Sequence, residues 1–191
     1  MADPIIAFSS VPECAAWFAD NNATHSGFWL KIGKGGQAGT TVNYQEALAV
    51  ALCHGWIDGQ KKSLDDEFWL QRFTKRTARS KWSKINRDKA EALIASGAMR
   101  PPGQQAIDDA KADGRWDAAY DGQSTATVPD DLAAAFAADP VAEAFFATLK
   151  GVNRYAILYR VHDAKKPETR ASRIEKFVAM CHRHERIHPN S

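Results

Sequence analysis

The chain reads WIDGQKKSLDDEFWLQRF from residue 56 to residue 73. Two runs rich in aromatic and β-branched residues lie on either side of the polar segment 63–66, which is typical of a turn. This pattern predicts a β-hairpin with strands at 56–62 and 68–73. Successive strand residues point to opposite faces. One face of the second strand is therefore expected to hold Trp69, Gln71 and Phe73, and the other Phe68, Leu70 and Arg72.

The segments before this hairpin predict one more strand and two helices. Residues 28–32 alternate between apolar and polar positions, which indicates a half-buried strand. Ser10 and Asn43 are each followed three residues later by a glutamate, and that spacing is typical of a capping box at a helix start. The glycine-rich loop 33–39 connects the strand to the second helix.

After the hairpin the pattern becomes helical. Two helices are predicted before residue 120, one ending at Gly97 and one opening at Pro101. Thr127 and Asp130 indicate a further capping box, and Pro140 a helix start. Helices are also expected at 155–161 and 167–183. The sequence thus predicts an α+β fold. Its N-terminal unit, residues 1–120, has a small sheet and a hairpin, a linker covers 121–127, and an all-helical lobe covers 128–191.

The composition is that of an ordinary globular protein, but the charged residues are distributed unevenly along the chain. Of 191 residues, 45% are hydrophobic and 25% charged, and the net charge is only +2. Residues 72–89 nevertheless contain eight basic residues and one acidic residue, whereas residues 101–149 contain nine acidic and two basic residues. Such a division gives a directional field that favours an anionic partner at the basic segment.

The chain is expected to act in the cytoplasm. Its first residues lack the basic and apolar regions of a secretory signal, and its apolar runs are too short to span a membrane. Cys14, Cys53 and Cys181 are scattered and odd in number, which argues against a disulfide framework. We therefore expect reduced thiols and no membrane insertion.

Three motifs invite a catalytic or metal-binding interpretation, and each has a simpler one. The glycine loop has Thr40 after Gly39 where a phosphate-binding loop requires lysine, so a flexible connection is favoured. Cys53 and His54, with Asp58 nearby, form a conceivable nucleophile and base, but adjacent side chains at a helix end usually diverge. Metal ligation is conceivable for the three histidines near the C-terminus, yet a solvated chain end is favoured, so no metal is expected. They are His182, His184 and His188.

The region from residue 56 to residue 86 carries the candidate binding site. It holds three of the six tryptophans, interleaved with arginines. Aromatic planes beside guanidinium groups suit a phosphate, a nucleotide or a single-stranded nucleic acid, although packed tryptophans among solvated cations would give the same pattern. The candidate ligand-binding residues are Trp56, Asp58, Gln60, Gln71, Arg72, Thr74, Arg76, Ser80, Trp82, Ser83 and Asn86.

The same region resembles the YdeI/OmpD-associated, or bacteriocin-protection, family. The resemblance extends from about residue 13 to residue 183. The matching blocks are HGWIDGQ at 54–60, QRFTKR at 71–76, SKWSKIN at 80–86, GAMRPPG at 97–103, DGRW at 113–116 and AKKPETR at 164–170, followed by RI at 173–174. The resemblance implies two sequence regions, the second being the helical lobe, and a role in bacterial stress response or bacteriocin protection.

These observations favour a binding protein whose site lies on the 56–86 surface and whose ligand is a nucleotide, another phosphorylated small molecule or RNA. An enzyme is a second interpretation, with Asp58 acting beside Arg72 or Arg76. The third is a protein-interaction adaptor. No catalytic motif is recognisable and no cofactor is expected. A deep pocket containing Asp58 and an arginine would favour the first two interpretations, and an open basic face with exposed tryptophans would favour nucleic acid.

Overall fold

The computed structural model describes residues 3–189. The chain divides into two compact units, the first ending at Ala119 and the second beginning at Tyr120. Over the described residues there are four strands and eight α-helices, and all the strands belong to the first unit. The predicted α+β class is confirmed. None of the helices within residues 3–189 is long and apolar enough to cross a membrane.

The sheet of the first unit is built on the predicted hairpin. Its strands are β1 (Ile5–Ile6), β2 (Gly27–Gly33), β3 (Trp56–Ser63) and β4 (Phe68–Lys75). Their order is β1-β2-β4-β3, with β1 parallel to β2 and the other pairs antiparallel. The sequence missed β1, because two residues are too few to show alternation. It also missed an irregularity in β3 between Asp58 and Lys61, where the pairing with β4 shifts.

Four helices complete the first unit: α1 (Val11–Asn21), α2 (Tyr44–Cys53), α3 (Lys84–Ala95) and α4 (Pro101–Ala112). Both N-terminal caps predicted for this unit are confirmed. The Ser10 hydroxyl accepts from the Glu13 amide, and Asn43 forms a complete capping box with Glu46. Each cap satisfies amide groups that a helix start would otherwise leave without a partner.

One face of the sheet forms the core of this unit. Phe28 of β2 pairs with Phe73 of β4, and both side chains are fully buried against α1 and α2. Leu30 pairs with Gln71, so Gln71 points to the same face. The two faces predicted for the second hairpin strand follow this register. The opposite face carries Arg72 and Leu70, paired with Trp29 and Lys31 of β2.

The second unit is a bundle of four helices: α5 (Asp130–Ala137), α6 (Pro140–Thr148), α7 (Gly151–His162) and α8 (Pro167–His182). The capping box predicted at Thr127 is wrong. The N-cap of α5 is Pro129, which has no side-chain acceptor for a capping hydrogen bond. Residues 122–126 form turns in which the Thr125 and Ala126 amides donate to the Gly122 carbonyl. A linker at 121–127 stays a prediction.

Arg170 ties three of these helices together, and its position in the AKKPETR block is explained by that contact. Its Nε and Nη2 donate to the Asp131 carboxylate at 2.5 and 2.8 Å, and its Nη1 donates to the Val161 carbonyl at 2.9 Å. The hydrogen bonds from Arg170 lower the pKa of Asp131. The guanidinium thereby connects α5, α7 and α8.

We expect Arg170→Lys to destabilise the second unit by about 1 kcal/mol, because an ammonium cannot present the planar fork that reaches both partners and because the pair is partly exposed. Hydrogen exchange of the α5 and α8 amides would measure this loss. Arg183→Lys is the matched control. Arg183 also holds a carboxylate through two nitrogens, but it lies on an exposed chain end, so its replacement should change little. Equal effects of both variants would contradict a tethering role for Arg170.

Candidate functional site

Trp56 lies in the interior of the first unit. Its side chain is 0% exposed, and its ring packs edge-on against Phe18 at 5.3 Å between centroids. Its Nε1 donates to Asn22 Oδ1 at 2.6 Å. Because both the ring and its donor are engaged inside the fold, Trp56 is positioned to stabilise the sheet–helix core.

Gln71 and Asp58 support the irregular part of β3. The Gln71 side chain is 4% exposed and donates through Nε2 to the carbonyl oxygens of Gly59 and Gln60, at 3.0 and 3.2 Å. These carbonyls lie where the β3–β4 register shifts. Asp58 accepts a hydrogen bond from the Tyr44 hydroxyl at 2.8 Å. The buried amide therefore satisfies backbone groups that the β-ladder leaves unpaired.

Arg72 and Thr74 lie on the sheet face away from α1 and α2. Arg72 is held by Asp3, with 2.7 Å between Nη2 and Oδ2. On the same face, the Lys31 and Lys62 ammonium groups lie 3.7 and 4.0 Å from the ring centroids of Phe68 and Trp29. The aromatic surface of this face is thus already covered by cations of the chain itself.

The remaining predicted residues meet in what we call the Arg76 corner, formed by residues 76–87 together with Arg115 and Trp116. The Arg76 guanidinium carbon lies 3.5 Å from the ring centroid of Trp82, and Nη1 donates to the Lys81 carbonyl at 3.0 Å. Trp82 in turn contacts Trp116 at 4.8 Å between centroids. Stacking and a hydrogen bond together hold this guanidinium in one place.

The start of α3 belongs to the same corner. Ser83 caps it by accepting from the Asn86 amide at 3.1 Å, and the first turn contains no acidic residue. Ser80 accepts from the Thr77 amide at 2.9 Å, and Arg115 Nη1 donates to the Ser80 carbonyl at 3.0 Å. The loop before α3 is therefore closed by its own hydrogen bonds, with a positive helix end beside it.

The Arg76 corner contains buried donors that lack a hydrogen-bond acceptor among residues 3–189. Trp82 Nε1 and Arg87 Nε are such donors. Most buried polar groups in proteins are hydrogen-bonded, and an unsatisfied donor costs about 1–3 kcal/mol. The sequence did not single out Arg87, Arg115 or Trp116 as site residues. The density of basic residues in 72–89 was the available signal for Arg87.

The glycine loop is explained by packing. The Gly33 amide donates to Thr41 Oγ1 at 2.9 Å, and a Cβ on Gly33 would collide with the Gln37 carbonyl. Lys34 Nζ donates to Ser63 Oγ at 3.0 Å and to the Asp65 carbonyl at 2.6 Å, which ties the loop to the hairpin turn. The lysine is thus occupied by the chain's own acceptors.

Cys53 and His54 show the opposite of nucleophile activation. Burial raises the pKa of the Cys53 thiol, whereas a reactive thiolate requires a lowered value. Burial, and then the charge of Arg100, lowers the pKa of His54. The imidazole stacks on Phe18 at 5.7 Å between centroids.

The three C-terminal histidines have separate contacts. His182 Nδ1 lies 2.9 Å from Asp139 Oδ2, and His184 stacks on Phe145 at 5.0 Å between centroids. The backbone of His188 exchanges two hydrogen bonds with the Asn153 side chain. Among the described residues, no group of three or more histidine, cysteine or acidic side chains is arranged to hold a metal ion.

Comparison with known families gives two matches along the chain. A model described as Domain of unknown function (DUF8412) matches residues 6–106, which is more than half of the chain. A model described as Bacteriocin-protection, YdeI or OmpD-Associated matches residues 125–184, which confirms the resemblance noted from the sequence over that part of the chain. The Arg76 corner lies largely within the first match. Searches of curated proteins and of solved structures found no match.

Proposed function

Because the chain belongs to the Domain of unknown function (DUF8412) family and its residues 125–184 match the Bacteriocin-protection, YdeI or OmpD-Associated model, we propose that it is a bacteriocin-protection-type protein that binds a phosphate-bearing ligand at the Arg76 corner. The observation that carries this proposal is the pair of buried donors, Trp82 Nε1 and Arg87 Nε, which lie without an acceptor inside the most basic part of the chain. An oxyanion supplies acceptors and negative charge together.

The surroundings of these donors also favour an anion. Arg76 is fixed on Trp82, and the capped start of α3 adds the positive end of a helix with no acid in its first turn. Backbone amides and arginines at a helix start are a common setting for phosphate groups. The carboxylate of Asp113 is already engaged by Arg115, at 2.7 Å between Oδ2 and Nε.

Burial of the tryptophans narrows the ligand class. Trp82 and Trp116 are only 2% and 6% exposed, so their faces do not offer a platform on which bases could stack. Single-stranded nucleic acid is usually held by such exposed platforms. We therefore favour a compact phosphorylated small molecule over RNA at this corner.

Titration of the purified full chain with inorganic pyrophosphate, followed by calorimetry, tests the proposal. Arg76→Ala should weaken binding roughly ten- to a hundredfold, because charge-assisted hydrogen bonds contribute about 1.5–3 kcal/mol. Arg76→Lys should also bind poorly, since lysine lacks the planar group that stacks on Trp82.

Arg79→Ala is the matched control for this titration. It removes the same charge from the same loop, but Arg79 is exposed and lies outside the stack on Trp82. Its affinity should stay within about twofold of the wild type, as expected for a screened surface charge. Equal losses in the Arg76 and Arg79 variants would indicate diffuse attraction and would contradict a specific site. Absence of pyrophosphate binding to the wild type would overturn the proposal.

We also propose that the protein acts in the cytoplasm. Support comes from its three cysteines, which are free and buried in the structure. Buried free thiols are usual in proteins of reducing compartments, whereas secreted proteins more often join their cysteines in disulfides.

A further inference from the structure

A cavity of about 150 Å³ lies within the second unit, and none of its lining residues belongs to the Arg76 corner. We call it the tyrosine pocket, and its lining residues include Tyr120, Asp121, Tyr155, Leu158, Tyr159 and His162. A cavity of this volume holds a molecule about the size of benzene. Three of the lining residues are tyrosines, and Leu158 is a buried apolar residue of the lining.

Tyr120, Tyr155 and Tyr159 all line this cavity, and their rings lie close to one another. Tyr120 and Tyr159 lie 5.1 Å apart between centroids with an interplanar angle of 87°. Tyr155 lies 5.9 Å from Tyr159 at an angle of 41°. A cation is attracted to an aromatic face when it lies within about 6 Å of the ring centroid. Because all three tyrosines line the same cavity, a cation bound there would lie next to aromatic side chains.

The charge of the pocket points in the same direction. Asp121 is the acidic residue of the lining, and its backbone carbonyl accepts a hydrogen bond from the Tyr155 hydroxyl at 2.9 Å, which anchors this residue to the pocket wall. Burial raises the pKa of Tyr155 to about 12, and Tyr120, Tyr159 and Asp121 add to this in the same direction. Burial opposes charge of either sign, whereas the negative charge of Asp121 opposes a phenolate and attracts a cation.

We propose that the tyrosine pocket binds a small quaternary ammonium cation, with the faces of Tyr120, Tyr155 and Tyr159 surrounding the methyl groups and Asp121 supplying the opposite charge. A trimethylammonium head is compact enough for the cavity. It carries no hydrogen-bond donor and so needs no acceptor in the wall, which aromatic faces do not provide.

The Asp121 carboxylate determines which of these cations the pocket should bind most tightly. Choline, which has a hydroxyl group at its far end, should bind better than glycine betaine, whose own carboxylate would be repelled by Asp121. The uncharged carbon isostere of choline, dimethylbutanol, has the same shape without the charge. It should bind roughly three- to thirtyfold more weakly than choline, the factor expected for a cation–π contact.

Titrations of the full-length protein with choline, glycine betaine and dimethylbutanol, followed by NMR of the tyrosine ring signals, compare these ligands without any mutation. Saturable choline binding, with both other ligands weaker, is the expected result. Choline binding no tighter than dimethylbutanol would show that the pocket is merely apolar and would overturn the proposal. So would glycine betaine binding as tightly as choline, or no choline binding at all.

Variants locate the binding at the pocket. Tyr159→Leu should weaken choline binding by about three- to thirtyfold, whereas Tyr159→Phe, which keeps the ring face, should retain most of it. Tyr44→Leu removes a tyrosine of the first unit and should leave choline affinity unchanged. If Tyr159→Leu fails to fold, Asp121→Asn provides the second variant, and it should reduce the preference for choline over dimethylbutanol. Unchanged choline affinity in folded Tyr159→Leu, or an unchanged preference in Asp121→Asn, would contradict the assignment.

Discussion

Replacing Trp56 with alanine should lower the free energy of unfolding of the first unit by about 3–5 kcal/mol, the usual cost of deleting a fully buried tryptophan. The ring is 0% exposed and contacts Phe18, Phe28 and Trp17 at 5.3–6.0 Å between centroids. The variant also removes the donor to Asn22 Oδ1. Urea unfolding followed by tryptophan fluorescence would measure the loss, because all six tryptophans precede Ala119 and report on this unit alone.

Trp69→Ala is the matched control on the same strand pairing. Trp69 lies on the core side of β4 but is only half buried, with Lys61 Nζ 4.4 Å from its ring centroid. Its replacement should cost about 1–2 kcal/mol, because less apolar surface is lost. Similar, small losses of unfolding free energy in both variants would show that Trp56 is not a core residue. Trp56 would then again be a candidate ligand contact.

Local sequence signals predicted most of the elements. The capping residues Ser10 and Asn43 act on the next few amides of their own helices, so their effect is visible in a short window of sequence. The hairpin was predictable for the same reason, since alternation and a polar turn lie within one continuous segment. The capping box at Thr127 failed because Pro129 occupies the cap position and leaves no side-chain acceptor there.

The candidate site was harder to predict because its members come together only through the fold. The spacing of residues 56–86 identified a dense aromatic and basic segment, but spacing does not say which rings lie inside. Trp56 and Trp82 are buried, whereas Arg76 is positioned by stacking on Trp82. Arg115 and Trp116 reach the same corner from beyond α4, a distance along the chain that no local pattern spans.

The tyrosine pocket illustrates the same limit in the second unit. Tyr120 and Asp121 precede the helices, whereas Tyr155 and Tyr159 lie on α7, one turn apart. Helical spacing predicts that the last two share a face. Only the folded chain shows that Tyr120 stands at right angles to Tyr159.

Replacing Gly103 with alanine should destabilise the first unit by about 3 kcal/mol, at the upper end of the cost of overpacking. Gly103 lies in the first turn of α4, where this helix approaches the last residue of α2. A Cβ at Gly103 would lie 2.7 Å from the carbonyl carbon of Cys53 and closer still to its oxygen. That oxygen accepts a hydrogen bond from the Arg100 amide at 3.2 Å, so the backbone there cannot retreat without breaking the contact between α2 and α4.

Gly36→Ala separates this steric effect from the general effect of replacing glycine. A Cβ at Gly36 would meet nothing within 4 Å, and the residue does not adopt a positive φ. Its replacement should leave stability within about 0.5 kcal/mol of the wild type, as for other exposed positions. Urea unfolding followed by tryptophan fluorescence again gives the comparison. Equal stability of the two variants would mean that α4 can shift away from α2. The close approach of α2 and α4 would then not explain why glycine occupies position 103 of the GAMRPPG block, because a side chain there would cost little.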